Sequence, residues 1–455
     1  MYLPEATIRE ILLKNGYNSH NLCFLSNTFF KCKRTGSLFK LIQKKVDVDY
    51  KQILHIGDNK TSDVEIPKKL GILTYYYPKV SESLTKSHCF IKQYLKEISS
   101  LDEKLFLGAI ALGYHRFKTQ NKNNESYWAD LGYLFGGMLS YGFLNWLDEV
   151  CRQKNITQLL FVARDGYSLN SLFKQVSDIS SLYVYAPRAV STCINQSFRI
   201  DIKQGDDLKR DREISIINKV ASFYGIGITG NLSDLSFRKR FIQTNTCYFE
   251  DFCKLIKGNY QNYINSLPLV GDEIGVVDSI TGSFSAQQLI QKSLPAKNVF
   301  GFYVHKLSKG NERCFEFCKE DRKIEFCHFV ELLFSSPEKP IEIILNNSPQ
   351  YQKNINSLEQ FKIDIYPEIQ KGMTEAFLFL NEFKPRISDK CWYNWFHSFY
   401  KKPSEVDKFY LAKCQNGIDE AHTRYEPIFS KWYIRSRKIK EYYLFGIKVY
   451  RKEKN

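Results

Sequence analysis

The sequence predicts an α/β protein. Short apolar runs that end in Asp, Gly-Asp or Arg-Asp recur along it, at 53–56, 159–163 and 274–277. Between them lie segments with apolar residues at the helical spacing i, i+3, i+4, i+7. Glycine, proline and polar clusters mark the joins. Strands that alternate with helices in this way are the grammar of a parallel sheet with crossover helices. The composition agrees: 455 residues, 43% hydrophobic and 25% charged, with 34 Phe and 29 Tyr as core material. That is globular composition and excludes wholesale disorder, collagen and coiled coil. At about 150 residues per domain it allows two or three domains.

Taken in order, Pro4 and Glu5 open a first helix, with Ile8, Ile11 and Leu12 on one face and Gly16 at its stop. The run 22–25 reads as a strand, 37–45 as a helix, 53–56 as the next strand and 72–77 as a third, closed by Pro78. Residues 96–130 read as helical and then polar, with TQNKNNES (119–126) as the linker. LGYLFGGMLSYGFLNW (131–146) carries no charge, but its 16 residues fall short of the ~20 that span a bilayer. Asp130, Asp148 and Glu149 bound it, so it predicts a buried helix. A second α/β unit follows: strand 159–163, a helix with Leu169, Leu172, Phe173 and Val176 on one face, strand 274–277, helix 285–294 and strand 299–304. From about 350 the chain reads as helical. The expected organisation is an α/β region over 1–95, a helical linker over 96–126, a second α/β region over 127–345 and a helical C-terminal segment over 346–455. No solenoid-type repeat is present.

The net charge of +16 favours anionic partners. Much of it is local: residues 431–455 hold nine Lys/Arg against Glu441 and Glu453, interleaved with Trp432, Tyr442, Tyr443, Leu444 and Phe445. Such a tail suits an anionic membrane surface or, less favoured, nucleic acid with aromatics stacked on bases. A plain solvated tail fits as well. The 12 cysteines are dispersed over a long chain, and no secretory signal follows Met1. Reduced thiols in a cytoplasm are therefore expected. Cys314, Cys318, Cys327 and His328 have the ligand types of a zinc site without a common zinc spacing, and read as buried or incidental side chains.

LHIGDNKTSD (54–63) holds the first chemical pattern. An apolar strand delivers Gly57 and Asp58 at its carboxyl end, and Asp63 follows near the start of a helix. Ligand sites of open α/β sheets lie at that edge, and paired carboxylates there suit a hard cation such as Mg2+. Both aspartates equally suit helix N-caps. Upstream, KRTGSLF (33–39) puts Lys33 in a loop and Gly36 in the turn to a helix. A lysine there neutralises a phosphate or a carboxylate, or is simply solvated. In the second half, Arg164 and Asp165 end one strand, Asp278 ends another, and Thr281, Gly282 and Ser283 form a turn. If the two strands are neighbours, these groups converge on one sheet edge. The Arg and the turn suit phosphate, and the paired Asp suit Mg2+ or acid–base work. The alternative is an internal Arg–Asp pair with helix caps. VVDSITGS also faintly resembles the phosphoribosyl-binding loop of phosphoribosyltransferases, with one acidic residue where that loop has two.

Together these segments resemble the haloacid dehalogenase (HAD) superfamily. GDNKTSD looks like its fourth motif, which implies Asp58 and Asp63 as Mg2+ ligands, and Lys33 looks like the third-motif lysine. The context K-x-x-G-x-L-F is similar to a subgroup of large bacterial HAD-like proteins found with surface polysaccharide (capsule) biosynthesis. FVARDGYSL (161–169), PRAVS (187–191), VVDSITGS (276–283), VELLFSSP (330–337) and FGIKVY (445–450) are similar to that subgroup's second region. The resemblance implies a phosphatase-type hydrolase with a partial Rossmann-like core, a cytoplasmic location and work near the inner membrane surface. The first motif, D-x-D after a strand, and the second-motif Ser or Thr have no counterpart before Lys33, where the only carboxylates are Glu5 and Glu10. Residues 1–95 are thus expected to be an incomplete HAD core without its nucleophile. A shortened, split or decayed gene would produce that, and a complementing N-terminal fragment is one expected partner. The alternative functions are a glycosyl- or sugar-phosphate transferase or binding role in 127–345, with a phosphorylated sugar or nucleotide sugar as ligand, and a non-catalytic partner at the membrane surface.

Overall fold

The structure, a computed structural model, describes residues 3–17, 23–98, 100–122, 126–195, 207–319, 324–417, 425–429, 439–444 and 447–453. The chain divides into two compact units, Met1–Ser87 and His88–Asn455.

In the first unit, helices Glu5–Lys14 and Ser37–Val46 precede strand β1 (Leu54–Gly57). A π-helical turn (Lys60–Glu65) and a short helix (Ile66–Lys69) cross over to β2 (Leu73–Tyr76), and helix Val80–Ser87 follows. The strands pair in parallel, from Leu54↔Leu73 to Gly57↔Tyr76. One face of this pair is covered: His55 sets its ring edge-on to Phe39, centroids 4.9 Å apart, and Leu38, Phe39 and Ile72 are buried. The opposite face is bare, with Leu54, Ile56, Leu73 and Tyr75 being 59, 57, 60 and 57% exposed. Side chains alternate along a strand, so these four share one side. Parallel sheets are ordinarily covered on both faces. The expected strand at 22–25 is not found: Leu22 lies outside the described residues and 23–25 form no strand. A strand there would need a ladder partner, and among the described residues β1 pairs with β2 alone.

The second unit is built on a five-stranded sheet in the order β4-β3-β5-β6-β7. These are β3 (Gln158–Val162), β4 (Ser180–Val184), β5 (Glu273–Thr281), β6 (Asn298–Lys306) and β7 (Cys314–Glu316), and every pair is parallel. After β3 the chain crosses to β4 on one side through helix Gly166–Phe173. It returns to β3's other side as β5, and then continues outward through helix Ser285–Ser293 to β6. The sheet is covered on both faces. Phe161 packs on Phe173 of the first crossover helix, centroids 5.6 Å apart. Leu160, Val162, Ile274 and Val276 pack with Ile290 of the second.

The uncharged stretch at 131–146 is a buried helical segment, as expected: Tyr127–Leu131, a π-helical turn Gly132–Gly136, then Gly137–Gln153. Its glycines permit a very close crossing with helix Ser357–Phe383. A Cβ on Gly132 would lie 2.1 Å from the Ile369 carbonyl oxygen, and one on Gly372 would lie 1.8 Å from that of Ala129. Among the described residues no helix is long and apolar enough to cross a membrane.

Among its described residues, the expected helical linker over 96–126 is mostly one packed helix. Helix Leu101–Gln120 opens on a Ser100/Glu103 capping box and buries Phe106, Ile110, Tyr114 and Phe117 in the second unit. The C-terminal segment begins as expected with helices Ser357–Phe383, Asp389–Lys401 and Glu405–Leu411. It does not stay helical. After the hairpin β8 (Ile341–Leu345) and β9 (Ser348–Tyr351), which precedes those helices, come β10 (Gln415–Gly417) paired with β11 (Tyr425–Pro427), and β12 (Ile439–Leu444) paired with β13 (Ile447–Glu453). IKEYYL and IKVYRKE are rich in the β-branched and aromatic residues that favour strands. The rest of the basic tail, 431–438, 445–446 and 454–455, lies outside the described residues.

Candidate functional site

In the first unit the predicted residues meet around Asp63, which is 2% exposed. Its Oδ1 accepts from Lys33 Nζ (2.6 Å) and His55 Nε2 (3.0 Å), and its Oδ2 accepts from the Asn59 N–H (3.0 Å). Burial pushes the Asp63 carboxyl up, but these donors outweigh it and hold the group down to about 2. Gly57 makes the approach possible, since a Cβ there would sit 2.5 Å from the Asp63 carboxyl carbon. The helix cap falls to neither predicted aspartate. Asn59 Oδ1 accepts from the Thr61 and Ser62 N–H groups. Asp58 is a surface residue whose Oδ2 faces Lys79 Nζ at 3.3 Å. Both Asp63 oxygens are thus engaged. Among the described residues no three His, Cys, Asp or Glu side chains are arranged to hold a metal ion. As arranged, Asp63 anchors Lys33.

The second unit brings more charge together. Ligands of open α/β sheets bind beyond the carboxyl ends of the strands, where the strand order reverses. Here that point lies between β3 and β5, which are neighbours in register Phe161↔Val277. Asp165 follows β3, and Asp278 lies within β5 beside it. Ser279 Oγ donates a hydrogen bond to Asp165 Oδ2, and the Ser279 N–H donates to Asp278 Oδ1 (2.9 Å). Glu331, on helix Ile324–Leu333, joins them electrostatically. Arg164, Arg188 and Lys362 supply the opposing charge. A fourth acid, Glu359, is 1% exposed; it accepts from Arg164 Nη1 and meets Lys362 Nζ at 2.8 Å.

The four acids are therefore not equivalent. Burial raises Glu359, yet Arg164 and Lys362 outweigh it and hold the carboxyl down to about 2. It is a permanent anion that fixes the two cations. Burial, reinforced by Asp165, pushes Asp278 up to about 7, against the Ser279 N–H and Arg188. Burial and Asp165 likewise push Glu331 up to about 7, against Arg188, Lys362 and Arg164. Burial also raises Asp165, with the Ser279 hydrogen bond and the same cations opposing it. Four carboxylates face three cations, so near neutral pH the surplus acid retains a proton. Asp165, Asp278 and Glu331 each keep part of their surface in contact with solvent, and that proton can exchange.

Of the predicted residues, Arg164, Asp165 and Asp278 come together. The Thr281-Gly282-Ser283 turn does not join them. β5 was expected to end at Asp278, but it pairs with β6 as far as Thr281↔Lys306. At 3.3 Å per residue the turn is carried about 10 Å beyond Asp278. There Thr281 Oγ1 accepts from the N–H of Phe284 (3.0 Å), the residue before helix Ser285–Ser293. Sequence reasoning missed Arg188, Glu331, Glu359 and Lys362. Arg188 and Glu331 stand inside the quoted segments PRAVS and VELLFSSP, where a charge set among apolar neighbours was the available signal.

Cys314, Cys318 and Cys327 are buried. Cys314 Sγ donates to Gln287 Oε1 and Asn311 Oδ1, each at 3.2 Å. Burial, aided by Glu331, pushes the Cys327 thiol up to about 12. No protein-family model matches the chain, and no curated protein matches it.

Proposed function

We propose that the chain is a HAD-like protein of surface-polysaccharide synthesis whose chemistry resides in its second unit. That unit acts on a phosphorylated sugar or nucleotide sugar as a transfer-type enzyme. The observation that carries this is the mixed-charge cluster at the strand-order reversal between β3 and β5. Arg164, Arg188 and Lys362 supply charge-assisted hydrogen bonds to phosphate oxygens. Asp278 and Glu331, both at about 7, are poised to take or give the proton of a hydroxyl acceptor or leaving group. Ser279 ties Asp165 to Asp278. The first unit has a third-motif-like Lys33 paired with Asp63, which supports the HAD resemblance.

The test is calorimetric titration of the full chain with UDP-glucose, glucose 1-phosphate and pyrophosphate, with and without Mg2+. Arg188→Ala is expected to weaken binding at least tenfold, and Asp278→Asn to change both affinity and its pH dependence. Unchanged binding in both variants rejects the site. The purified chain is expected to release no phosphate from p-nitrophenyl phosphate with Mg2+. Robust release that Asp63→Asn abolishes would place the chemistry in the first unit instead.

A further inference from the structure

Beside the charged cluster lies a second convergence of polar groups. Glu338 Oε2 accepts from Tyr183 Oη at 2.5 Å, and its Oε1 accepts from Tyr351 Oη at 3.3 Å and Tyr185 Oη at 3.5 Å. Three connections contribute to both clusters, which Asp278 on β5, Glu359 and Lys362 on helix Ser357–Phe383, and Tyr351 on β9 complete. The segment after β3 carries Arg164, Asp165 and Tyr167. The end of β4 and its exit carry Tyr183, Tyr185 and then Arg188. The stretch from helix Ile324–Leu333 to β8 carries Glu331 and Glu338. β4 is the immediate neighbour of β3, and the Ala163 N–H donates to the Val184 carbonyl at 2.8 Å. Edge-to-face tyrosine pairs run from Tyr183 to Tyr366. Tyr183 packs on Tyr167 (5.8 Å between centroids), and Tyr167 packs on Tyr366 (6.4 Å), whose hydroxyl is 2.6 Å from Ser168 Oγ.

We propose that Glu338, framed by Tyr183, Tyr185 and Tyr351, is the subsite for a vicinal diol of the substrate whose phosphate binds Arg164, Arg188 and Lys362. This rests on the phosphorylated-sugar reading above. A clamp that only tied the β8–β9 hairpin to β4 would be expected to close its hydrogen bonds fully. Here one is tight, while the two on Oε1 are longer than the ~2.5–3.0 Å usual for O–H donors. A diol hydroxyl at Oε1 displaces those two long bonds, and its neighbour reaches the second lone pair of Oε2. Tyr351 is 36% exposed, so this side of the carboxylate opens to solvent. The tyrosine rings supply the flat faces against which a sugar ring or a base packs. The diol belongs either to a ribose or to a hexose, and the choice of ligand separates the two.

The experiment is titration of wild-type and Glu338→Gln full-length chain with pyrophosphate, UDP, glucose 1-phosphate and UDP-glucose. The variant is expected to bind pyrophosphate within twofold of wild type and to lose about tenfold or more for a diol-bearing ligand. Loss with UDP assigns the diol to ribose; loss with glucose 1-phosphate assigns it to the hexose. Tyr351→Phe removes a competing donor and is expected to tighten the same ligand about twofold or more. Wild type that binds pyrophosphate, with Glu338→Gln unchanged toward every sugar ligand, overturns the diol subsite and leaves the phosphate site standing. Equal loss of pyrophosphate in Glu338→Gln overturns it in favour of a structural clamp. Wild type that binds none of the four overturns both readings.

Discussion

Replacing Asp278 by Asn should stabilise the protein at neutral and alkaline pH. Asp278 is raised to about 7 in the folded chain from an ordinary 3.8. Between those values the folded state holds a proton that the unfolded state has released. Stability therefore falls as pH rises through that window, and the whole cost is felt above pH 7. Full burial would make it about 4 kcal/mol, at ~1.4 kcal/mol per unit. The carboxyl keeps a solvent-facing part, so about 2 kcal/mol is the working figure. Asparagine preserves the Oδ1 acceptor for the Ser279 N–H and leaves Asp165, Glu331 and Glu359 to balance Arg164, Arg188 and Lys362. No cation is stranded.

The five tryptophans, Trp128, Trp146, Trp392, Trp395 and Trp432, all lie in His88–Asn455. Their emission in urea therefore reports the second unit alone. With an m-value of about 4 kcal/mol/M for a unit of this size, the midpoint should rise by roughly 0.5 M at pH 8. At pH 4, where Asp278 is protonated in the wild type, the gain should vanish. A variant less stable than wild type at pH 8, or one whose gain is the same at both pH values, would refute the surplus-acid account.

Two further outcomes follow from the same structure. Glu359→Gln should destabilise the second unit by about 3 kcal/mol at neutral pH, because Arg164 and Lys362 lose an anion held near 2. A carboxyl lowered in the folded state contributes stability above its unfolded value, and that stability is lost as pH falls through the folded one. The deficit in urea midpoint should therefore shrink between pH 4.5 and 2. In the first unit, Ile56→Lys, on the bare face of β1–β2, should reduce binding of an apolar fluorescent dye and raise solubility without shifting the tryptophan unfolding curve. Unchanged dye binding would show that this face is covered in solution.

Most strands were legible because a buried parallel strand is a continuous apolar run, and LLFVA and IGVV are such runs. The adjacency of β3 and β5 was not. It pairs residues more than a hundred positions apart, and no local pattern encodes strand order. Four of the seven charged residues of the cluster were hidden as well. Glu359 and Lys362 sit three apart on helix Ser357–Phe383 and read as an ordinary surface pair, yet they are 1% and 8% exposed. What buries them is packing within the second unit, where Glu359 reaches Arg164. The Thr281-Gly282-Ser283 turn shows the converse error. Its residue types suit phosphate, but continued pairing with β6 moves it along the strand and away from Asp165.

Each unit places an aspartate on or just after a parallel strand, Asp63 in the helical turn after β1 and Asp278 within β5, and their surroundings set the two carboxyls apart. Asp63 is met by a lysine, a histidine and a backbone N–H, and is held near 2. It stays ionised at every physiological pH and can only anchor. Asp278 shares its space with Asp165 and Glu331, where acids outnumber cations, and is held near 7. It changes protonation in the range where a hydroxyl must be activated or a leaving group protonated. An acid kept in that condition costs folding stability and gives nothing back to the fold. Asp63, by contrast, sits under a sheet that lacks cover on its other face and has every oxygen spoken for. In the function proposed above, proton transfer falls to Asp278 rather than Asp63, and the stabilising effect expected of Asp278→Asn tests the raised carboxyl on which that proposal rests.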